Sequence, residues 1–474
     1  MKNDKIILIQ FEQKQLTTSL YSTTGEKITQ CSKLLTFKNH PNYGWVSDPH
    51  EIIYLIRSSI NDLILSYKKK LTIAKIAIIG QMESILFCDQ KHGTALTPAF
   101  HIKDKRATKI INRIQKTQLA KDYLSISKQH MSPYGIYAHI KWFIEKGILQ
   151  YPINLENSYC VTLESFLLLN LTSLNGVKWD TISASSSGLF DIETQKLSPI
   201  ILADLNLTKK NFPQIVHPTQ INLKTKGFVP LKDDIPIVCL LNESKLHWFV
   251  QTELRFGLNH IHWTKQQAII QKNIGNESQA INGFNNSLIY NTNQMYNCIE
   301  KELSIPTLPS TFFSSSFDTL MKNKDTNKHH KNWLILHSDL TFGDLQFALI
   351  NRDTQIEIDD FNDIFLIGLF NIIKMKLLTI EKYCNTFSNQ ILCTTTFEVN
   401  ESRWTQLANI LQHSLTIIDN NSILGAFILI IAHEHDNQKK FMLSTKTILP
   451  EQDPISSYAN FQEWQNYYSK IFKN

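Results

Sequence analysis

Four consecutive apolar residues, Ile6 to Ile9, are followed by a polar stretch and a second apolar-rich run, Leu16 to Tyr21, which predicts a β-hairpin at the front of an α/β domain. In GWVSDPHEIIYLIRSSINDLI the period changes. Ile52, Leu55, Ile56, Ile60, Leu63 and Ile64 recur at helical spacing, so one face of a helix packs on a sheet. Asp48 is its N-cap, Pro49 suits the first helical position, and Glu51, three residues after the cap, completes a capping box. A strand follows at Ile73 to Ile79 and closes on Gly80-Gln81-Met82-Glu83. Strand, helix and strand in succession predict a layered α/β domain.

Further on, PAFHIKDKR (Pro98 to Arg106) leads into a predicted helix from Ala107 to Gln118, and Ser132-Pro133-Tyr134 precedes another through Ile140, Trp142, Phe143 and Ile144. An apolar helix from Glu164 to Leu171, a serine run from Ser183 to Asp191, and a strand from Ile235 to Leu241 running into a helix near Asn242 complete the first half. The second half is less regular. Asn273 to Gln294 is rich in Asn and Ser, and Lys322 to Asn332 is a polar, basic loop. Helical patterns cover Phe361 to Leu378 and Glu401 to Leu411, with a strand at Gln390 to Thr395 and an apolar segment at Ile423 to Ala432. No repeat of fixed period is visible, which leaves room for two diverged halves.

Composition narrows the class. A chain of 474 residues suits two domains, each of about 200–250 residues. With 42% hydrophobic and 19% charged residues it has an ordinary globular balance. The net charge of +6 is small and the lysines are scattered, so no nucleic-acid partner is expected. The seven cysteines show no CxxC pair or regular spacing, which predicts buried free thiols in a reducing compartment. The first apolar run is too short for a signal peptide, and the runs at Ile364 to Ile373 and Ile423 to Ala432 fall below the ~20 residues that span a bilayer. A cytoplasmic protein without a membrane partner is expected. Glycine is scarce, with 15 in the chain, about 3% against a usual ~7%, so glycine-dependent phosphate loops are few.

Taken in order, these segments resemble the FGGY family of carbohydrate kinases. Gly44-Trp45-Val46 followed by Asp48-Pro49 and a helix is similar to the family's P-G-W-x-E-x-D-P, and Gly80-Gln81-Met82 to its G-Q-M-H. Pro98-Ala99 before Lys103-Asp104-Lys105-Arg106 matches P-A-x-x-W-x-D-x-R, with Ile102 in the tryptophan's place. Ile235-Pro236-Ile237 opens the I-P-V strand, and Leu424-Gly425-Ala426 resembles the late A-L-G-A-A helix. The likeness covers about residues 1 to 250, and the G-E-R-x-P region is missing from residues 295 to 360. It implies two ribonuclease-H-like α/β domains of the actin-like ATPase type flanking a central cleft: a sugar-side domain over 1–250 and a shortened, diverged nucleotide-side domain over 251–474. It also implies ATP and magnesium as cofactors of an active enzyme, and a reaction that rests on positioning and charge neutralisation.

Carried over residue by residue, the resemblance puts the general base at Glu243, one methylene longer than the usual Asp, and Asn242 where glycine is usual. Two readings fit Glu243: a base for the sugar hydroxyl, or a first-turn carboxylate in a helix capped by Asn242. The sugar side would use Met82, Glu83, Asp104, Arg106 and Tyr134. On the ATP side the family's D-x-G-T-[ST] hairpin aligns with Gln10-Phe11-Glu12-Gln13-Lys14, the second phosphate loop with Thr264-Lys265-Gln266, and the glycine run before the adenine helix with Thr395-Thr396-Phe397. A side chain at a glycine position blocks close approach of phosphate. Gln10, Lys14, Thr264, Lys265, Thr395 and Thr396 are thus the nucleotide positions, in altered form. His260 with His262, and His433 with His435 and Asp436, are read as solvated loop histidines rather than metal ligands. The chain is expected to be a degenerate FGGY protein with impaired or lost phosphorylation of a sugar or polyol, retaining a sugar or polyol ligand or pairing with itself or a related kinase. The alternatives are an active kinase with Glu243 as base, in which Lys14 or Lys265 replaces lost backbone contacts, and a non-catalytic interaction protein.

Overall fold

The fold is taken from a computed structural model. It describes residues 4–250 except 12–14, 41–43, 68–70, 81–83, 102–103, 105, 128–130, 134, 150–152, 175, 243–245 and 248. In the second half it describes 259–263, 267–272, 288–291, 321–322, 333–338, 345–350, 358–384, 390–395, 397–432 and 445–472. The chain divides into two compact units: Met1–Leu254 with Gly275–Asn285 and Leu424–Phe441, and Arg255–Ile274 with Asn286–Ile423 and Met442–Asn474.

The first unit begins with the expected hairpin, β1 (Asp4–Phe11) and β2 (Gln15–Ser22), paired from Lys5 opposite Ser22 to Phe11 opposite Leu16. A third antiparallel strand, β3 (Lys27–Leu34), lies at the edge. Two short strands, β4 (Lys38–His40) and β5 (Gly44–Ser47), lead to α1 (Pro49–Ser66). Asp48 caps α1 by accepting from the His50 amide at 2.8 Å. That amide belongs to the second helical residue, whereas the expected capping box would use the third. Ile52, Ile53, Ile56, Ile60 and Leu63 bury one face of α1 in the same core as Ile7, Ile9, Leu16 and Leu20. β6 (Thr72–Gly80) then runs parallel to β1.

A second sheet collects β4 and β5 with β7 (Ile85–Asp89), β8 (Ala99–Phe100) and β9 (Ser158–Thr162). The helix expected from 107 to 118 is instead two, α2 (Thr108–Ile114) and α3 (Gln118–Ser127). Thr117 separates them: its hydroxyl and its amide both donate to the Ile114 carbonyl, which closes α2. α4 (Ile136–Glu145), α5 (Leu163–Leu171), β10 (Lys178–Asp180) and α6 (Thr181–Ser186) follow. The chain continues through β11 (Phe190–Asp191), β12 (Lys196–Leu197), α7 (Pro199–Asp204), β13 (Gln214–Val216) and β14 (Leu223–Lys224). β15 (Pro236–Asn242) closes the first sheet, parallel to β6.

The second unit opens with β16 (Asn259–Trp263), β17 (Gln267–Lys272) and β18 (Leu288–Asn291), again an antiparallel meander. After a ribbon of β19 (Trp333–Ser338) and β20 (Leu345–Ile350) come α8 (Ile358–Cys384), β21 (Gln390–Thr395), α9 (Glu401–Leu411) and β22 (Ser414–Asp419). α10 (Asn420–Ala432), which from Leu424 on belongs to the first unit, β23 (Thr445–Ile448) and α11 (Pro454–Phe472) end the described chain. The sheet order is β18-β17-β16-β21-β22-β23, and that of the first unit is β3-β2-β1-β6-β15-β14. In each, three antiparallel strands are followed by two parallel ones and an antiparallel edge. The first five strands of the two sheets therefore repeat one connectivity, while the edge strand precedes its neighbour along the chain in the first unit (β14 before β15) and follows it in the second (β23 after β22).

Three polar features tie the interior. In the second unit Arg403 of α9 and Asp363 of α8 form an ion pair at 2.6 Å, with side chains 2% and 1% exposed. In the first, the Lys75 ammonium of β6 donates to the carbonyls of Ile431 and Ala432 at the end of α10, at 3.1 and 3.0 Å. Lys374 of α8 lies 4.6 Å from the Phe461 ring centre, and burial pushes its pKa down to about 8 from 10.5. The unfolded chain holds that proton up to about pH 10.5 and the folded chain only up to about 8, so stability should rise across this window. Lys374→Met is expected to remove the rise and to lift the thermal midpoint at pH 7 by about 2–4 °C, checked by melting curves at pH 7 to 10. Cys31, Cys88, Cys160, Cys239 and Cys393 are free thiols, and all of these but Cys31 are buried. Among the described residues no helix is long and apolar enough to cross a membrane.

Candidate functional site

Three parallel strands of the first unit, β1, β6 and β15, end side by side. Gln10 is in register with Ile79, and Asn242 with Gly80. In open α/β sheets the carboxyl ends of parallel strands are where ligands bind. Gln10 is buried at this edge. Gly80 meets the carboxyl group of Glu164, the second residue of α5, so closely that a Cβ would overlap it. The next amide in this contact, that of Leu163, donates to the Ser84 carbonyl at 3.3 Å. The first turn of α5 thus contacts both Gly80 and Ser84.

A second carboxylate joins this group. Asp180 caps α6 by accepting from the Ser183 amide at 2.7 Å, and the Ser183 hydroxyl accepts from the Asn242 amide at 3.1 Å. The Ser165 hydroxyl donates to the Lys178 carbonyl at 2.7 Å, which keeps β10 against the start of α5. Glu164 is wholly buried and neither of its oxygens reaches a partner in hydrogen-bonding geometry. Burial pushes its pKa up to about 8, and the charge of Asp180 adds to this against the dipoles of its own backbone N–H and of Thr162. Burial also raises Asp180, to about 6, although the Ser183 side chain and the amides of Ser183 and Ile182 oppose it.

Of the expected sugar-side residues, Asp104 and Arg106 are described, and the fold binds them to each other. The Arg106 Nε lies 2.9 Å from both Asp104 oxygens, its Nη2 makes a further contact with Oδ2, and its amide donates to Oδ1 at 3.0 Å. The guanidinium stacks 4.0 Å from the Trp142 ring centre. Gly44, at φ +62°, lies against the carboxylate; a Cβ there would come within 2.8 Å of Asp104 Oδ2. Beside this pair His139 is buried with no hydrogen bond at either ring nitrogen. Burial holds its pKa down to about 4; Asp104 opposes that shift and Arg106 reinforces it. Asp104 and Arg106 are therefore bound to each other rather than standing apart.

In the second unit Thr395 ends β21 with its hydroxyl turned inward, donating to the Phe397 carbonyl at 2.8 Å and accepting from the Phe397 amide at 3.1 Å. The reading of His260 and His262 as solvated loop residues is overturned. Both lie on β16 and are buried, because alternation along a strand puts residues two apart on one face. His260 Nε2 and His262 Nδ1 each lie 2.8 Å from the Thr394 hydroxyl on the neighbouring strand. Burial and His260 hold the His262 pKa down to about 3. Asn242 is the last residue of β15, with its amide bonded to Ser183 as above. Met82, Glu83, Tyr134, Glu243, Lys14, Thr264, Lys265, Thr396, His433, His435 and Asp436 lie outside the described residues.

Sequence reasoning missed Glu164, Asp180 and His139 as site residues. The visible signal was Glu164 itself, the one charge between Val161 and Leu171.

The description of the FGGY family of carbohydrate kinases, N-terminal domain, matches residues 14–250, half of the chain. The chain belongs to the FGGY family. Over 221 residues it is 26% identical to a glycerol kinase of Bdellovibrio bacteriovorus, covering 46% of this chain and 44% of the relative. A Lactobacillus acidophilus glycerol kinase is 23% identical over 270 residues, 54% of this chain and 52% of the relative. The chain thus spans about half the length of the curated relatives it matches. The solved structure of Plasmodium falciparum glycerol kinase with ADP superposes with a TM-score of 0.81 at 16% identity, over 99% of this chain and 98% of that one. Gluconate kinase from Lactobacillus acidophilus gives 0.77 at 16% identity, over 99% and 97%. The fold of this FGGY member is accordingly that of two ribonuclease-H-like units of the actin-like ATPase type.

Proposed function

We propose that this FGGY member binds a sugar or polyol through its first unit and that its ATP-dependent phosphoryl transfer is impaired. Gln10 carries the reading. It is the last residue but one of β1, at the place where the family resemblance puts the carboxylate linked to magnesium, and it is buried there. A neutral amide offers no anionic oxygen to a magnesium-bound water, so the residue present does not fit that role. Thr395 supports the same conclusion: a hydroxyl-closed turn stands where the resemblance puts a glycine that phosphate or adenine approaches.

The experiment pairs binding with turnover. Purified protein should show no saturable rise in thermal midpoint with MgATP and no ADP release with glycerol, D-xylulose or D-gluconate, while at least one of these polyols raises the midpoint. Gln10→Asp together with Glu12→Gly should restore a nucleotide-dependent rise. Saturable MgATP stabilisation of the wild type, with ADP release abolished by Glu243→Ala, would establish instead an active kinase with Glu243 as base.

A further inference from the structure

The first sheet ends on β3, an eight-residue strand whose outer side no other strand pairs with among the described residues. Its alternation sorts the side chains. Cys31 and Lys33 lie on the face covered by α1, where both reach Asp62 and Lys33 forms an ion pair with it. Gln30, Ser32 and Leu34 lie on the opposite face, where the Ser32 hydroxyl is 3.2 Å from that of Thr17. Two large apolar side chains stand exposed on this strand, Ile28 at 39% and Leu34 at 79%. A bulge leaves Ile28 between Lys27, opposite Tyr21, and Thr29, opposite Leu20, so regular pairing runs from Thr29 on. The Cys31 carbonyl is turned inward, accepting from the Thr18 and Ser59 hydroxyls at 3.4 and 3.3 Å. The backbone groups of Gln30 and Ser32, on either side of it, therefore point to the free edge, where a further strand can pair with them.

We propose that β3 is the docking edge for a second copy of this chain, which adds its own β3 antiparallel across a two-fold axis at Cys31. In this register Cys31 faces the partner's Cys31, Gln30 the partner's Ser32, Thr29 the partner's Lys33, and Ile28 the partner's Leu34. An axis normal to the sheet keeps the helix-covered face on one side in both copies, so residues of like face meet and each contact between unlike residues occurs twice.

Charge selects this register. Moving the axis to Gln30 brings Lys27 against the partner's Lys33, and like charges directly opposite destabilise a strand pair. Moving it to Ser32 sets Leu34 against the partner's Gln30 and leaves Ile28 beyond the end of the partner's β3. With the axis at Cys31 no two charges oppose, and the exposed apolar side chains cover each other. Lysines guard edge strands against pairing, but here Asp62 holds Lys33, and Lys27 donates to Gln30 at 3.3 Å. The contact is one strand pair wide, so the dimer is weak and forms as concentration rises.

Sedimentation equilibrium of the full chain over about 1–200 µM should show monomer and dimer in exchange. Leu34→Lys should weaken the dimer about tenfold, because the lost apolar pair counts twice across the axis. Ile28→Glu added to Leu34→Lys should return the dissociation constant to within about twofold of the wild type, since the new charges face each other. Both positions are exposed, and thermal midpoints of the variants at low concentration check that the fold is unchanged. A short bismaleimide should link wild-type chains into a covalent dimer, and Cys31→Ser should abolish that product. A wild type that stays monomeric throughout, a dimer indifferent to Leu34→Lys, or a dimer that is not linked through Cys31 would overturn the proposal.

Discussion

Arg403→Leu should lower the thermal midpoint of the second unit by roughly 6–20 °C, the consequence of losing about 3–5 kcal/mol. The variant leaves the Asp363 carboxylate in a core where its side chain is 1% exposed, without the guanidinium that now lies 2.6 Å away. The loss comes chiefly from the charge that remains, not from the attraction removed. Replacing both partners, as Arg403→Met with Asp363→Leu, should therefore recover most of the stability. Circular dichroism melts of the single and double variants check this, and a double variant no better than the single one would show that the ion pair itself supplies the stability.

Gly80→Val is the second large effect, and its sign runs against strand propensity. Valine favours strands and glycine weakens them, by up to about 1 kcal/mol. Here the Cβ would overlap the Glu164 carboxyl, so the substitution should cost about 3 kcal/mol, or roughly 6–12 °C in the midpoint of the first unit. Glu164→Gly in the same chain should relieve most of that loss, because the new Cβ would meet the Glu164 Cβ as well as its carboxyl and the two sites share one space. Melting curves of the two single variants and the double variant measure the coupling. Additive losses would mean that the Glu164 side chain is not what valine meets.

The elements that were legible in the sequence are those whose signals are local. The front hairpin, the helix after Asp48-Pro49, the strand Gln390–Thr395 and the helix Glu401–Leu411 appear where pattern and caps put them. The family was legible for a similar reason, since its markers are short and ordered along the chain. The five-strand order shared by both units was legible only through that family resemblance, not as a repeat in the sequence. Strands buried on both faces, such as Ile6 to Phe11 and Ile391 to Thr395, read as plain apolar runs with no period to compare. His260 and His262 were misread because their partner, Thr394, lies on a strand reached only through pairing. Asp104 and Arg106 seemed two separate polar positions in a loop until the fold joined them. Glu164 was visible as a lone charge in an apolar helix, but the meaning of that charge depended on Gly80, on another strand.

The cap on α10 has a consequence for biogenesis. Lys75 of β6 finds its acceptors at Ile431 and Ala432, and Phe249 packs edge-on against Phe427, 6.0 Å between ring centres. The segment matched by the family's N-terminal domain ends at residue 250. A ribosome must add about 180 further residues before these partners exist, which takes roughly 10–40 s at ordinary elongation rates of about 5–20 residues per second. During that interval Lys75 and Phe249 of the nascent first unit wait for the α10 groups they meet in the finished fold. The usual order, in which an N-terminal domain finishes before its successor begins, gives way to one in which the first unit is sealed only after most of the second has been made.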